Sequence, residues 1–261
     1  MLKRFFADFS KYFKYAKYAA KSALNAEVAG SYLNWLWWIF NPFCMMLIYT
    51  FMFGYVFGAK EQFFPIYIFL GLTLWDYFNR TITASVKMIK KNKAIVTKVY
   101  IPKFVLLETE MMVNFIKMLI SFGVIVVMMI IFRVPVSWRI LWLIPILFVL
   151  TIFTFGLSSI VMHFGVYVED LTNIIKIVLR FVFYLTGVFW SINKRIPAPY
   201  NHYVLRCNPM AYLINEARNA LIYNTSPNLK YLGIWFVISL LLCIFGLHKI
   251  YKYENSYAKV I

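Results

Sequence analysis

Few side chains in this sequence are spaced for acid–base, nucleophilic or metal chemistry. Glu169 and Asp170 are neighbours, and neighbours on a helix point about 100° apart, so they do not form an acid/base pair across a cleft. His163, His202 and His248 stand isolated, in positions that suit interfacial or loop residues better than a ligand set. Cys44 and Cys243 sit within apolar runs and Cys207 is alone, which excludes a disulfide framework and a CxxC metal site. There is no GxxxxGKS/T phosphate loop, no GxGxxG after a strand, no HExxH and no GxSxG elbow. The residues therefore assign no catalytic centre and no metal.

What remains is polarity and aromaticity inside apolar runs. Asp76 and Arg80 are four apart and can pair on one helix face. Glu110, Asn114, Lys117 and Ser121 form one polar stripe at helical spacing, and Asn173, Lys176, Arg180 and Tyr184 form another. A charge inside a membrane costs about 2.5 to 3.5 kcal/mol on insertion scales, so such stripes either line a path for a polar substrate or pair with each other to hold helices together. An aromatic stripe of Trp38, Tyr49 and Phe53, extended by Met45, could stack on sugar rings or serve as ordinary bundle core.

The elements that position these residues follow from composition. Of 261 residues, 62% are apolar, 20% aromatic and only 14% charged, with Lys+Arg at 27 against Asp+Glu at 10. A soluble domain carries about a quarter of its residues charged. Mean hydropathy of +0.71 leaves too little water-preferring surface for a nucleic-acid binder, and the composition also excludes a disordered chain, a disulfide scaffold and a coiled coil. The expectation is an all-α integral membrane protein. A bilayer core needs about 20 apolar helical residues, which gives six transmembrane helices at about 33–57, 62–83, 111–132, 140–164, 173–190 and 231–248. The short alternating segments of a transmembrane barrel are absent.

Positive charge sets the orientation. The N-terminal segment, the stretch 86–103, Lys176 and the C-terminal residues Lys249, Lys252 and Lys259 hold most of the cations, which places both termini in the cytoplasm. Residues 1–28 are expected as an N-terminal amphipathic interface helix, ahead of a transmembrane domain over 29–261. Leu2, Phe5, Phe6, Phe9, Phe13, Ala16 and Ala20 share one side of that helix, opposite Lys3, Arg4, Lys11, Lys14, Lys17 and Lys21. Such a helix either lies in the headgroup boundary or packs on its own protein. The segment 86–103 mixes six lysines with Ile95, Val96, Val99, Tyr100 and Ile101, as a segment docking into another protein would, or as a basic tether for anionic lipid. Outside, 191–228 contains four prolines and a piece, 210–223, too short to span, which fits a re-entrant helical pair or a plain loop.

Four stretches then resemble the membrane subunit of type II ABC exporters for O-antigen-type polysaccharides and teichoic acids. They are GSYLNWLWWIFNPF with IYTFMFGYVFG (30–43 and 48–58), LWDYF leading into NKAIVTKVYIPK (74–78 and 92–103), YVEDLTNIIKIVLRFVFYLTGVFWSI (167–192) and NPMAYLINEARNALI (208–222). The resemblance implies six spans, an interface helix, a short external re-entrant pair before the last span, and a homodimer joined to two ABC ATPase subunits. On this resemblance Lys98, Val99, Tyr100, Ile101, Pro102 and Lys103 look like the element that couples to the ATPase. Val168, Glu169, Asp170 and Leu171 look like a second contact, Glu169 standing where many relatives carry Arg. No cofactor is expected on this chain, since ATP and Mg would sit on the partner ATPase.

The expected function is a permease moving lipid-linked polysaccharide across a bacterial plasma (inner) membrane, with membrane lipids and no nucleic acid as further partners. Trp38, Met45, Tyr49, Phe53 and Tyr184 are the candidate tunnel lining, and Lys176 and Arg180 the candidate headgroup contacts. A teichoic acid, drug or lipid cargo uses the same architecture. A membrane-embedded assembly enzyme or a simple anchor are the rivals of another class.

Overall fold

The computed structural model describes residues 2–29, 35–58 and 61–260. The first residues of the expected first span and its motif, 30–34, and Lys60 lie outside the described residues, as do the side chains of Leu2 and Lys259. The chain folds as helices: α1 (Leu2–Val28), α2 (Leu36–Tyr49), α3 (Phe64–Val86), α4 (Met88–Lys91), α5 (Lys93–Lys98), α6 (Phe104–Ile131), α7 (Leu143–Tyr167), α8 (Leu171–Leu185), α9 (Ile192–Arg195), α10 (Tyr200–Cys207), α11 (Pro209–Leu221) and α12 (Leu229–Val260). Helix α2 widens into a π-helical segment, Thr50–Val56, and a 3-10 turn, Trp138–Trp142, leads into α7. No strand occurs among the described residues.

Helix α3 is the centre. Ile66, Ile68, Phe69, Leu70 and Leu74 are fully buried, and α2, α6, α7, α8 and α11 surround it, as expected of a helix whose first half is apolar on all sides. Helix α12 packs along α7, and α1 along α6. The outer faces of α6, α7 and α12 expose Val127, Ile130, Ile144, Phe148, Leu241 and Phe245, an apolar belt of the kind a bilayer covers.

Among the described residues, four stretches are long and apolar enough to cross a membrane: Leu36–Val56, Phe104–Ile131, Trp138–Tyr167 and Leu229–Tyr257. The six expected spans differ from these for physical reasons. Helix α3 has the length but carries Asp76 and Arg80. Helix α8 has 15 residues, about 22 Å at 1.5 Å each, short of a core of about 30 Å. It stops because Gly187 takes φ +66, a conformation that L side chains rarely adopt. Helix α6 starts at Phe104, earlier than expected, and α12 runs for 32 residues, or about 48 Å. The end of α12 therefore projects beyond the length of a span.

Contacts sort the molecule into two ends. At one, Arg4, Tyr100, His163, Tyr167, Glu254 and Tyr257 meet; at the other, Glu61, Tyr67, Lys194, Arg218 and Tyr223 do. The lysine-rich segments gather at the first, hereafter the basic end.

Candidate functional site

The basic end presents the expected coupling segment. Met88, Ile89 and Val96 are buried and anchor α4 and α5 to the bundle. Beyond them the chain exposes Lys98, Val99 (54%) and Tyr100 (59%), then turns inward. Ile101, Pro102 and Lys103 are buried because they form the lead into α6. The six residues thus divide into an exposed half and a buried half. Burial pulls the Lys103 ammonium below the ordinary lysine range, and the charge of Glu254 opposes that shift.

Glu169 and Asp170 lie exposed in the turn between α7 and α8. A single close approach brings them to the same end as the segment: a Cβ on Gly165 would collide with the Val86 carbonyl. The end of α3 and the end of α7 are therefore in backbone contact, and the loops that follow them, 87–103 and 168–170, emerge together. Together they form an exposed surface of mixed lysine, apolar and acidic character.

Helix α1 does not spend its apolar side on lipid alone. Ala16, Ala20 and Leu24 are buried, Ala20 and Leu24 in a cluster with Val113 of α6, and the Phe5 ring lies tilted against Phe104 with centres 5.0 Å apart, while Phe6, Phe9 and Phe13 stay exposed. Small residues allow this close helix approach.

The first polar stripe pairs within the protein. Asn114 Nδ2 donates to Thr81 Oγ1 at 3.2 Å and to Glu110 Oε1 at 3.4 Å, and Lys117 Nζ lies 2.5 Å from Glu27 of α1. Asp76 and Arg80 pair at 3.6 Å. Asp76, Arg80, Asn114 and Lys117, with Trp38, Pro42 and Ser121, border a narrow crevice between α2, α3 and α6. With each of these three carboxylates held to a donor, the seam joins helices. In the second stripe, Asn173, Lys176, Arg180 and Tyr184 are exposed on α8, and Lys176 and Arg180 have no ion-pair partner among the described residues.

The tunnel candidates separate into groups. Tyr49 and Phe53 converge on Phe189, with ring centres 4.3 Å and 4.9 Å away, the Phe53 ring nearly parallel to it. Trp38 lies apart, its ring 5.6 Å from Lys117 Nζ, and Met45 and Tyr184 are exposed. Next to the Phe53 and Phe189 stack opens a cavity of about 510 Å³, walled by Phe53, Phe57, Phe189 and Trp190 and edged by Glu61, Lys194 and Arg195. Glu61 accepts from Lys194 at 2.7 Å and from the Tyr223 hydroxyl at 3.0 Å.

Of the residues that border this cavity, sequence reasoning singled out only Phe53. Phe189 and Trp190 stand where the fifth apolar run was expected to end, and only their aromatic character hinted at a role. Glu61 carried no signal. Arg218, read as an interruption of the 210–223 piece, is 3% exposed and holds the far end together. Its guanidinium donates to the carbonyls of Tyr67, Gly187 and Val188 at 2.7 to 3.2 Å. It binds α11, which Asn208 caps by accepting from Met210 and Ala211, onto α3 and the turn after α8. The plain-loop reading is thereby replaced, over 209–221, by a helix packed into the bundle, with the mostly exposed α10 against it. His163 also differs from expectation: it is buried between α7 and α12, 2.8 Å from the Tyr257 hydroxyl, rather than interfacial.

Comparison with known proteins adds the following. A family model described as "ABC-2 type transporter" matches residues 20–222, from the second half of α1 to the end of α11. The O-antigen export system permease protein RfbA of Klebsiella pneumoniae is 26% identical over 232 residues, covering 88% of each chain. A second Klebsiella pneumoniae protein of that name is 27% identical over 234 residues, again 88% of each. Its namesake in Myxococcus xanthus is 24% identical over 217 residues, 83% of this chain and 84% of the relative.

Proposed function

Because the chain belongs to the ABC-2 type transporter family, we propose that it is the transmembrane permease subunit of an ATP-driven exporter of lipid-linked polysaccharide. The observation that carries the cargo is the likeness, over nearly the whole of each chain, to permeases named for O-antigen export. In this reading α3 and α8 join the four long apolar helices as six spans, in a bacterial plasma membrane, with the basic end in the cytoplasm. Helix α1 is the interface helix, its Phe6, Phe9 and Phe13 available to the headgroup boundary. Helices α10 and α11 are the short external pair.

The permease carries no nucleotide site of its own; ATP and Mg belong to a partner ABC ATPase present in two copies, and the permease is a homodimer. The exposed Lys98, Val99 and Tyr100, with Glu169 and Asp170, form the surface on which the ATPase docks. ATP-driven closure of the ATPase pair presses on that surface and rotates the two permease subunits as rigid bodies, opening a path between them. Phe53, stacked on Phe189, and Tyr49, tilted against it, offer apolar ring faces for sugars along that path, and the cavity beside them is its outer mouth. Lys176 and Arg180 meet the anionic lipid headgroup at the cytoplasmic leaflet.

Membranes holding the permease, its partner ATPase and lipid-linked glycan test this reading. Glycan should appear on the outer face only when ATP and both subunits are present. Equal appearance without the ATPase would refute it.

A further inference from the structure

The start of α1, the coupling segment and the tail of α12 meet in one charge cluster. Glu254 is 6% exposed, and its Oε1 accepts from Arg4 at 2.6 Å and from the Tyr100 hydroxyl at 3.3 Å. Arg4 also donates to the Tyr100 oxygen, lies 3.5 Å from Asp8, and stands over the Tyr251 ring at 4.6 Å. Tyr251 in turn donates to Asp8 at 2.9 Å. The buried Lys103 sits within the field of the same carboxylate. Residues 4, 100 and 254 are joined although the chain separates them widely.

Tyr100 has two faces in this arrangement. Its ring is exposed beside Val99 on the surface offered to a partner, while its hydroxyl reaches back to a buried carboxylate. Glu254 belongs to the part of α12 that projects past the length of a span. That part is fastened to α7, through Tyr257 to His163 at 2.8 Å and Ser256 to Tyr167 at 3.1 Å. The turn carrying Glu169 and Asp170 follows directly. A hydrogen-bonded connection thus runs from one exposed patch, through Glu254 and the end of α12, to the other. An isolated exposed ion pair contributes little, but this pair has a buried member that two donors share.

We propose that Glu254 is a positioning residue that clamps the coupling segment, at Tyr100, to α1 and α12, so that motion of a docked ATPase moves these helices instead of bending the loop. The inference rests on the docking reading above and adds to it the residue that makes docking productive. Without the clamp, the ATPase still binds Val99 and Tyr100 and still hydrolyses ATP, but the push dissipates in the segment 92–100.

The test uses the full-length permease in complex with its ATPase, comparing Glu254→Ala, Tyr100→Phe and the exchange of Arg4→Glu with Glu254→Arg. Complex yield, ATP hydrolysis and glycan exported per ATP are measured. For Glu254→Ala, yield and hydrolysis stay near wild type while export per ATP falls about fivefold or more, as loss of a coupling interaction predicts. Tyr100→Phe, which removes one hydroxyl and keeps the docking ring, falls in the same direction by less. The charge exchange recovers a substantial part of the loss, which assigns it to the Arg4–Glu254 pair, whereas a purely structural role would lower complex yield and hydrolysis along with export. Unchanged export per ATP in Glu254→Ala overturns the proposal, and so does loss of the complex in both Glu254→Ala and Tyr100→Phe. A Val99→Cys variant that forms no cross-link to the ATPase in an active complex removes the docking reading itself. In that event the coupling energy of Arg4 and Glu254 in a double-mutant cycle of unfolding temperatures shows whether the cluster still forms.

Discussion

Gly165 of α7 lies so close to Val86 of α3 that its missing side chain is what lets the two backbones touch. This contact sets the two exposed loops of the basic end beside each other. A Cβ there meets a backbone carbonyl, which cannot move without shifting a helix. Gly165→Ala is therefore expected to destabilise the protein by about 1 to 3 kcal/mol, the usual range for overpacking, and to weaken ATPase binding. Gly233 has open space around its Cα, so Gly233→Ala serves as the control and should be neutral or slightly stabilising. Thermal unfolding in detergent, with ATPase pull-down, checks both.

At the opposite end Arg218 satisfies three buried carbonyls at once. Arg218→Ala strands them and leaves a cavity, with an expected loss of more than about 3 kcal/mol. Arg218→Lys should rescue little, because a point charge on a flexible stem cannot reproduce the planar fork. Gly71→Ala should mimic part of the effect, since a Cβ at Gly71 would come within 2.6 Å of the guanidinium. Unfolding temperatures of the three variants give the order.

Asp76 and Arg80 predict a sign in a double-mutant cycle. Each single neutralisation, Asp76→Asn or Arg80→Gln, leaves one charge in α3 without its partner at 3.6 Å. The double variant leaves none. It should be more stable than the sum of the single losses by about 1 kcal/mol or more. Additive losses would show that the pair contributes no coupling.

For the aromatic cluster, Phe53→Ala and Phe189→Ala should reduce glycan export about tenfold while membrane insertion persists, if each ring contributes about 1 to 1.5 kcal/mol of stacking. Leucine at either position restores bulk without a flat face. Export restored by leucine would make the rings packing material only.

Much of this arrangement was legible in the residues. The lysine-rich segments do collect at one end, because unlike ends of a membrane protein meet different charge rules. The four-residue spacing of Asp76 and Arg80 was enough to foretell their pairing. The membership of Glu254 in a cluster with Arg4 and Tyr100 was not readable, because nothing local ties positions so far apart. Arg218 looked like a break in an apolar piece, since the carbonyls it serves come from α3 and a turn after α8. The end of α8 was hidden by an apolar run that continues past Gly187, where the backbone and not hydropathy stops the helix. Ala16 and Ala20 did carry a signal for the packing of α1, in their small size at helical spacing, that hydrophobic patterning alone overlooks.

The most direct measurement of the central claim is ATP-dependent export in vesicles containing the permease and its partner ATPase, made with wild type and with Val99→Ala, Tyr100→Ala together. Wild type should deliver lipid-linked glycan across the bilayer with ATP, and the double variant should insert normally, lose the ATPase and deliver none. Full export by the double variant with the ATPase still bound would contradict the account.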